Sequence, residues 1–194
     1  MSILLSMGGF ALATSISPGP VNLVVLSGSI QHGFKAAMRY VAGATVGFTI
    51  LLLLTGLGIR ELLACLPQLI SLVRWAGVAF LLYMAYKLAF SSGQLSTEKT
   101  SNPPSLLSGA AMQWLNPKAW LASLAGMGAF AGNDISLVGQ FTVLYFFICY
   151  ASLSCWAFVG VYLRKYVNNA KRVRIFNRSV SLVVLLSAIY LIQE

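Results

Sequence analysis

The amino-acid sequence predicts an all-α integral membrane protein with six transmembrane helices. Of its 194 residues, 58% are hydrophobic and only 9% are charged, whereas about a quarter of the residues of a soluble globular domain are charged. Six mostly apolar segments are each close to the roughly 20 residues that a spanning helix needs. Two of these segments contain proline motifs near their middle, which predicts broken helices. The composition excludes an ordinary soluble enzyme.

The predicted spans follow one another in a single transmembrane domain, residues 1–194. Their bounds are Ile3–Ser29, Met38–Ile59, Pro67–Phe90, Ser105–Ala131, Leu137–Tyr162 and Phe176–Ile192. The third contains Arg74 and Lys87, so a re-entrant segment is an alternative to a span whose basic side chains extend to opposite interfaces. A loop-like linker, residues 91–104, separates a first half of about residues 1–90 from a second half of about residues 105–194.

The distribution of Lys and Arg predicts the orientation. Ten of the thirteen basic residues lie in or beside the first, third and fifth loops: Lys35, Arg39, Lys87, Lys99, Arg164, Lys165, Lys171, Arg172, Arg174 and Arg178. Only Arg60 and Arg74 lie on the other side, so both termini are expected outside the cytoplasm. Because each half has three spans, halves of the same fold would be inverted relative to each other, as in many secondary transporters. This asymmetry explains the net charge of +9, and no nucleic-acid partner is expected.

The first span contains Ser17, Pro18, Gly19 and Pro20, which cannot continue a regular helix. We expect the helix to stop near Ser17 and to restart with Pro20 as its first residue. A simple kink is the alternative for either proline motif taken alone.

The fourth span contains Asn116, Pro117 and Lys118. Asn116 is predicted to cap a helix whose first residue is Pro117. Interrupted first helices in both halves are a pattern typical of a transport site. The positive ends of two restarted helices that face one cavity would attract a carboxylate.

Lys118 is the only charged residue predicted deep inside a span. Because a cation is energetically costly there, such a residue usually has a function. We expect it to pair with the carboxylate of a substrate; a lysine that extends to the interface is the alternative. None of the four acidic residues lies in the middle of a span, so Lys118 or the substrate would carry any coupled proton. The predicted substrate-binding residues are Pro18, Gly19, Pro20, Asn22, Gln113, Asn116, Pro117 and Lys118.

Pairs of glycines four residues apart predict close helix packing. Gly43 and Gly47 form one such pair in the second span, and Gly128 and Gly132 form another in the fourth. With six helices in one chain, we expect both pairs to pack within the molecule rather than between two copies.

Two stretches carry a family resemblance: SPGPVNLVVLSGSIQHGFKAAMR at residues 17–39 and LNPKAWL at residues 115–121. Together they resemble the LysE/RhtB family of amino-acid exporters. Cys155-Trp156-Ala157 and Gln31-His32-Gly33-Phe34 look most like the branch that exports cysteine and O-acetylserine. The resemblance implies a proton-driven exporter of the bacterial inner membrane, with six spans in two inverted halves. Many members have Asp or Asn directly after the first motif, whereas this chain has Val21 there, followed by Asn22. This departure from the family pattern argues against a carboxylate-based coupling site and against basic substrates.

These observations predict an exporter of small neutral amino acids or their derivatives, either cysteine-like and O-acetylserine-like or homoserine-like and threonine-like. Its expected partners are the amino-acid substrate and membrane lipid, it is expected as a monomer or homodimer, and it needs no cofactor. A metal or inorganic-ion exporter is one alternative. An intramembrane enzyme is another, in which Lys118 would activate Ser17 or Ser123. The spans contain no cluster of metal-ligating residues.

Overall fold

The computed structural model describes residues 3–59, 105–132, 134–166 and 170–193, together with scattered positions between 75 and 90. The described ranges form helices and the short turns that join them, with no strand among them. The helices are α1 (Ile3–Ile16), α2 (Pro20–His32), α3 (Phe34–Leu54), α4 (Leu106–Trp114), α5 (Pro117–Phe130), α6 (Ile135–Arg164) and α7 (Ala170–Gln193). A π-helical turn, Thr55–Ile59, extends α3.

Five of the six predicted spans lie within the described ranges. The first is α1 and α2, which are bent by 56° at their break, and the fourth is α4 and α5. α3 and α7 begin earlier than predicted, at Phe34 and Ala170, and α6 is slightly longer than predicted. The third span, Pro67–Phe90, lies largely outside the described residues, as does the linker 91–104. The count of six spans and the inverted repeat therefore stay predictions.

Length and hydropathy mark part of this bundle as membrane-spanning. Phe34–Gly58 and Ile135–Arg164 are each long and apolar enough to cross a bilayer, and the bent pair α1 and α2 adds a third segment. Large apolar side chains are exposed on the outer faces, among them Leu107 (78% exposed) and Phe158 (67%). Such faces suit a hydrocarbon solvent, so the all-helical membrane class is confirmed.

α6 lies at the centre of the bundle and packs on α1, α2 and α3. Phe141 of α6 is fully buried, with its ring centroid 6.2 Å from that of Phe10 in α1 and 5.5 Å from that of Phe130 in α5. Gly160, further along α6, lets the helix lie directly against Leu26 and Ser29 of α2. The break in the first span is therefore held against a long continuous helix.

The backbones of α3 and α4 are in direct contact. A Cβ added to Gly47 would lie 2.7 Å from Ala110 Cα, and one added to Gly43 would fall on the backbone of Leu106. Gly109 of α4 lies equally close to the backbone of Tyr40. The predicted packing role of Gly43 and Gly47 is confirmed, since only glycine permits this approach.

The same prediction is wrong for Gly132. Gly132 lies beyond the last residue of α5, and a Cβ placed on it would meet no atom within 4 Å. Its φ of +53° belongs to the left-handed region, and its N–H donates to Met127 O at 3.0 Å. Gly132 therefore ends a helix rather than packing against one, which is the other common use of glycine.

The turn between α2 and α3 meets the end of α6. A Cβ on Gly33 would lie 3.4 Å from Arg164 Nη1. The positive charge of Arg164 also acts on His32, the last residue of α2. The first and fifth predicted loops therefore lie at the same end of the bundle, as their basic residues require.

Candidate functional site

The first break falls where the proline motif places it. α1 ends at Ile16, and α2 begins with Pro20 as its first residue. Ser17 satisfies two carbonyls of the last turn of α1: its N–H donates to Ala13 O at 3.3 Å, and its Oγ donates to Thr14 O at 3.2 Å. The predicted stop near Ser17 and the restart at Pro20 are both confirmed.

Side chains from three other segments satisfy the carbonyls that the break leaves free, which a helix end inside a membrane requires. Each accepts one hydrogen bond: Ser15 O from Asn22 Nδ2 of α2 (2.8 Å), Ile16 O from Trp156 Nε1 of α6 (3.0 Å) and Ser17 O from Lys118 Nζ of α5 (2.9 Å). The break is thus fixed from several sides and is not a loose kink.

Replacing Trp156 with phenylalanine is expected to destabilise the protein by about 1–3 kcal/mol, because Ile16 O then has no donor in a dry environment. Tyr150→Phe is the matched control, since Tyr150 lies on the same helix with an exposed side chain. Thermal unfolding in detergent measures the difference. Equal melting temperatures for the two variants would contradict the capping role.

The second break also has the predicted form. α4 ends at Trp114, and α5 begins at Pro117 with Asn116 as its cap. Asn116 Oδ1 accepts from Lys118 N at 3.2 Å. Trp120 Nε1 donates to Trp114 O at 2.8 Å, so an indole again satisfies a carbonyl at the end of a helix.

Lys118 joins the two breaks. Its Nζ donates to Ser17 O at 2.9 Å and to Ser17 Oγ at 2.8 Å, although the two residues are 101 positions apart in sequence. Gly19 makes room for it, because a Cβ there would lie 3.2 Å from Lys118 Nζ. Both acceptors are neutral oxygen atoms. Asp134, the one acidic residue in the described ranges, instead caps α6 by accepting from Ser136 N.

A cavity that is partly open to its surroundings lies between the breaks. The lining residues from predicted positions are Asn22, Gln113, Asn116 and Lys118, and the others are Thr14, Ser15, Val21, Phe48, Ala119, Ala122, Tyr145, Cys149 and Leu153. The structure thus brings half of the eight predicted residues to one cavity. Of the other four, Pro20 and Pro117 each start a helix, and Gly19 makes room for Lys118. Pro18 lies within the first break, and its side chain is exposed.

Both restarted helices contribute their first turn to this cavity. Val21 and Asn22 of α2 line it, as do Lys118 and Ala119 of α5. Gly19, which precedes α2, provides no side-chain cap, whereas Asn116 caps α5. The free N–H groups and positive dipole end of α2 therefore face the same space as the Lys118 side chain.

Four polar residues of the cavity were missed. Tyr145 and Cys149 come from α6, and Thr14 and Ser15 come from the end of α1. Thr14 Oγ1 and Tyr145 OH are 2.6 Å apart. The two α1 residues lie just before the proline motif, so their polarity next to a break was a usable signal. No local pattern in α6 marks Tyr145 or Cys149.

The chemistry of the alternative enzyme is present only in part. Ser17 Oγ lies 2.8 Å from Lys118 Nζ, which is the contact that a Ser–Lys dyad needs. Ser123, the other candidate nucleophile, instead pairs with Thr55 Oγ1. Within the described ranges, no three His, Cys, Asp or Glu residues are grouped as metal ligands.

Comparison with known proteins identifies the family. Residues 12–194 match the family described as LysE type translocator. The cysteine/O-acetylserine efflux protein of Escherichia coli O1:K1 / APEC is 33% identical over 155 residues, which cover 78% of this chain and 78% of that protein. The protein of the same name from Escherichia coli O139:H28 (strain E24377A / ETEC) is 30% identical over 185 residues, covering 93% of this chain and 91% of its own. No solved structure matches.

The match covers nearly the whole chain, including both proline motifs and Lys118. It confirms the family resemblance and indicates an amino-acid exporter rather than an enzyme. The chain belongs to the family of LysE type translocators.

Proposed function

We propose that this protein exports small neutral amino acids or their derivatives across the bacterial inner membrane, and that the substrate binds between the two helix breaks. The observation that carries the proposal is the position of Lys118, whose ammonium lies in a cavity shared by both breaks. The names of the relatives support cysteine and O-acetylserine as first candidates. Homoserine and threonine are the next, because their side chains are also small and polar.

The substrate carboxylate binds Lys118 and the first turn of α2. An ammonium has three N–H donors, and Ser17 occupies two of them. The third donor and the uncapped N–H groups of α2 offer a carboxylate charged and neutral hydrogen bonds together. A metal cation would instead be repelled by Lys118, so no observation favours the alternative of a metal exporter.

The side-chain amides of the cavity bind the amino group of the substrate. Asn22, Gln113 and Asn116 are all buried and all line the cavity. Asn116 Nδ2 donates to Gln113 Oε1 at 3.4 Å, a long bond that an incoming ammonium group can replace by binding the Gln113 oxygen. The carboxylate of a zwitterionic amino acid would thus pair with the Lys118 ammonium, and its ammonium group would bind an amide oxygen.

The proposed mechanism is alternating access, in which this cavity opens to one side of the membrane at a time. We propose six spans, both termini outside the cytoplasm, and coupling to the proton gradient in which Lys118 or the substrate carries the proton. Collapse of the proton gradient in loaded vesicles is expected to slow export. Unchanged export rates would remove the coupling but leave the binding site intact.

Two measurements test the transport function. Cells that overproduce the protein are expected to resist a toxic external amino acid and to release more cysteine or O-acetylserine. Purified protein in vesicles is expected to exchange labelled cysteine, O-acetylserine, homoserine or threonine against the same compound inside. Empty vesicles are the control, and a rate equal to theirs for all four compounds would contradict the proposal.

A further inference from the structure

We infer that Ser15 recognises the polar side chain of the substrate and so distinguishes hydroxyl or thiol side chains from aliphatic ones of the same size. The inference rests on the proposed function. It adds a second recognition point to the cavity that holds Lys118, and it concerns a residue for which the proline motifs alone assign no role.

The hydroxyl of Ser15 is buried without a partner. The residue is 8% exposed, and its Oγ makes no hydrogen bond of normal length and angle, although the Tyr145 hydroxyl and the Cys149 thiol lie near it. A serine at such a position commonly bonds to the carbonyl one turn earlier, as its neighbour Thr14 does with Phe10 O at 2.7 Å. A buried hydroxyl without a partner is unfavourable and uncommon, so it calls for an explanation.

Ser15 lies close to the proposed carboxylate site. It lines the same cavity as Lys118. It also lies only two residues before Ser17, whose carbonyl oxygen accepts a hydrogen bond from Lys118 Nζ. The carbonyl of Ser15 is held by Asn22 Nδ2 at 2.8 Å, which fixes the residue in place. A small amino acid bound at Lys118 would therefore share one cavity with the Ser15 hydroxyl.

The surroundings of Ser15 suit a side chain that both donates and accepts. Thr14 Oγ1 uses its hydrogen on Phe10 O, so Tyr145 OH must donate to Thr14. The Tyr145 oxygen then keeps lone pairs for a donor, and Ser15 Oγ can donate as well as accept. Cys149, also in the lining, adds a small polarisable wall. A methyl group in this position would leave Ser15 without a partner.

The test compares two substrates of nearly the same shape. Cysteine and 2-aminobutyrate differ by a thiol against a methyl group, and their exchange is measured in vesicles under reducing conditions. Ser15→Ala is expected to lower the ratio of kcat/KM for cysteine over 2-aminobutyrate by about tenfold, the effect of one lost hydrogen bond. Ser15→Thr keeps a hydroxyl and is expected to preserve the ratio.

Ser152→Ala is the matched control. Ser152 of α6 is also a buried serine whose Oγ has no partner, but it does not line the cavity. Its replacement is expected to leave the ratio unchanged. Should Ser15→Ala give too little protein, Ser15→Cys replaces the hydroxyl with a much weaker donor and acceptor of similar size and must also lower the ratio.

The outcomes separate this inference from the transport function. An unchanged ratio in Ser15→Ala, or equal losses for both substrates, overturns the role of Ser15 while transport itself stands. Failure of the wild-type protein to exchange either compound or any of the other proposed substrates overturns the proposed function, and the inference with it.

Discussion

Lys118→Ala is expected to reduce the kcat/KM of export by about 10- to 150-fold, the range for loss of one hydrogen bond to a charged group. The ammonium is the positive side chain of the cavity between the breaks, and it also binds Ser17 O and Ser17 Oγ. Its loss removes the proposed partner of the substrate carboxylate and leaves Ser17 O without its donor. Exchange of labelled cysteine or O-acetylserine in vesicles measures the effect.

Lys35→Ala is the control for a general effect of charge, since Lys35 is exposed near the start of α3 and far in sequence from both breaks. It is expected to export normally. Lys118→Arg keeps the charge in a larger, planar group and should retain only part of the activity, because the bonds to Ser17 need a compact cation. Full export by a correctly inserted Lys118→Ala variant would remove Lys118 from the mechanism.

Gly43→Ala is expected to destabilise the protein by about 3 kcal/mol or more, at the upper end of overpacking effects. The added Cβ would lie 2.6 Å from the carbonyl carbon of Leu106 and 2.8 Å from its Cα. These are backbone atoms of α4, which cannot rotate away as a side chain can. We therefore expect little folded protein, measured as the yield of monodisperse material and its melting temperature.

Gly9→Ala is the matched substitution. Gly9 lies inside α1, and a Cβ there would meet no atom within 4 Å. Alanine at an open helical position stabilises by about 0.5–1 kcal/mol relative to glycine. A melting temperature for Gly43→Ala equal to that of the wild type would show that α3 and α4 are further apart than the structure has them.

The breaks were predictable from sequence because proline acts locally. Pro20 and Pro117 each fix a first helical residue, and Asn116 is a cap by its own chemistry. The placement of Lys118 between the breaks also followed, since a deeply placed cation needs polar surroundings. For these features the cause lies within a few residues of the effect.

The partners on α6 could not be predicted in the same way. Because α6 packs against α1, it brings Tyr145, Cys149 and Trp156 to the first break. No residue spacing in the sequence predicts this contact between the two helices. The two glycine pairs make the same point, because an identical pattern packs helices at Gly43 and ends a helix at Gly132. Whether a glycine of such a pair packs against a helix therefore depends on which segment the fold brings next to it.

The close approach of α3 and α4 constrains how the molecule can move. α3 belongs to the first half of the chain and α4 to the second, yet their backbones touch at Gly43, Gly47 and Gly109. Surfaces that interlock so closely cannot slide past each other without steric collision. In the proposed transport cycle, the moving units therefore do not coincide with the halves of the sequence, and α3 moves together with α4 whichever side of the membrane is open.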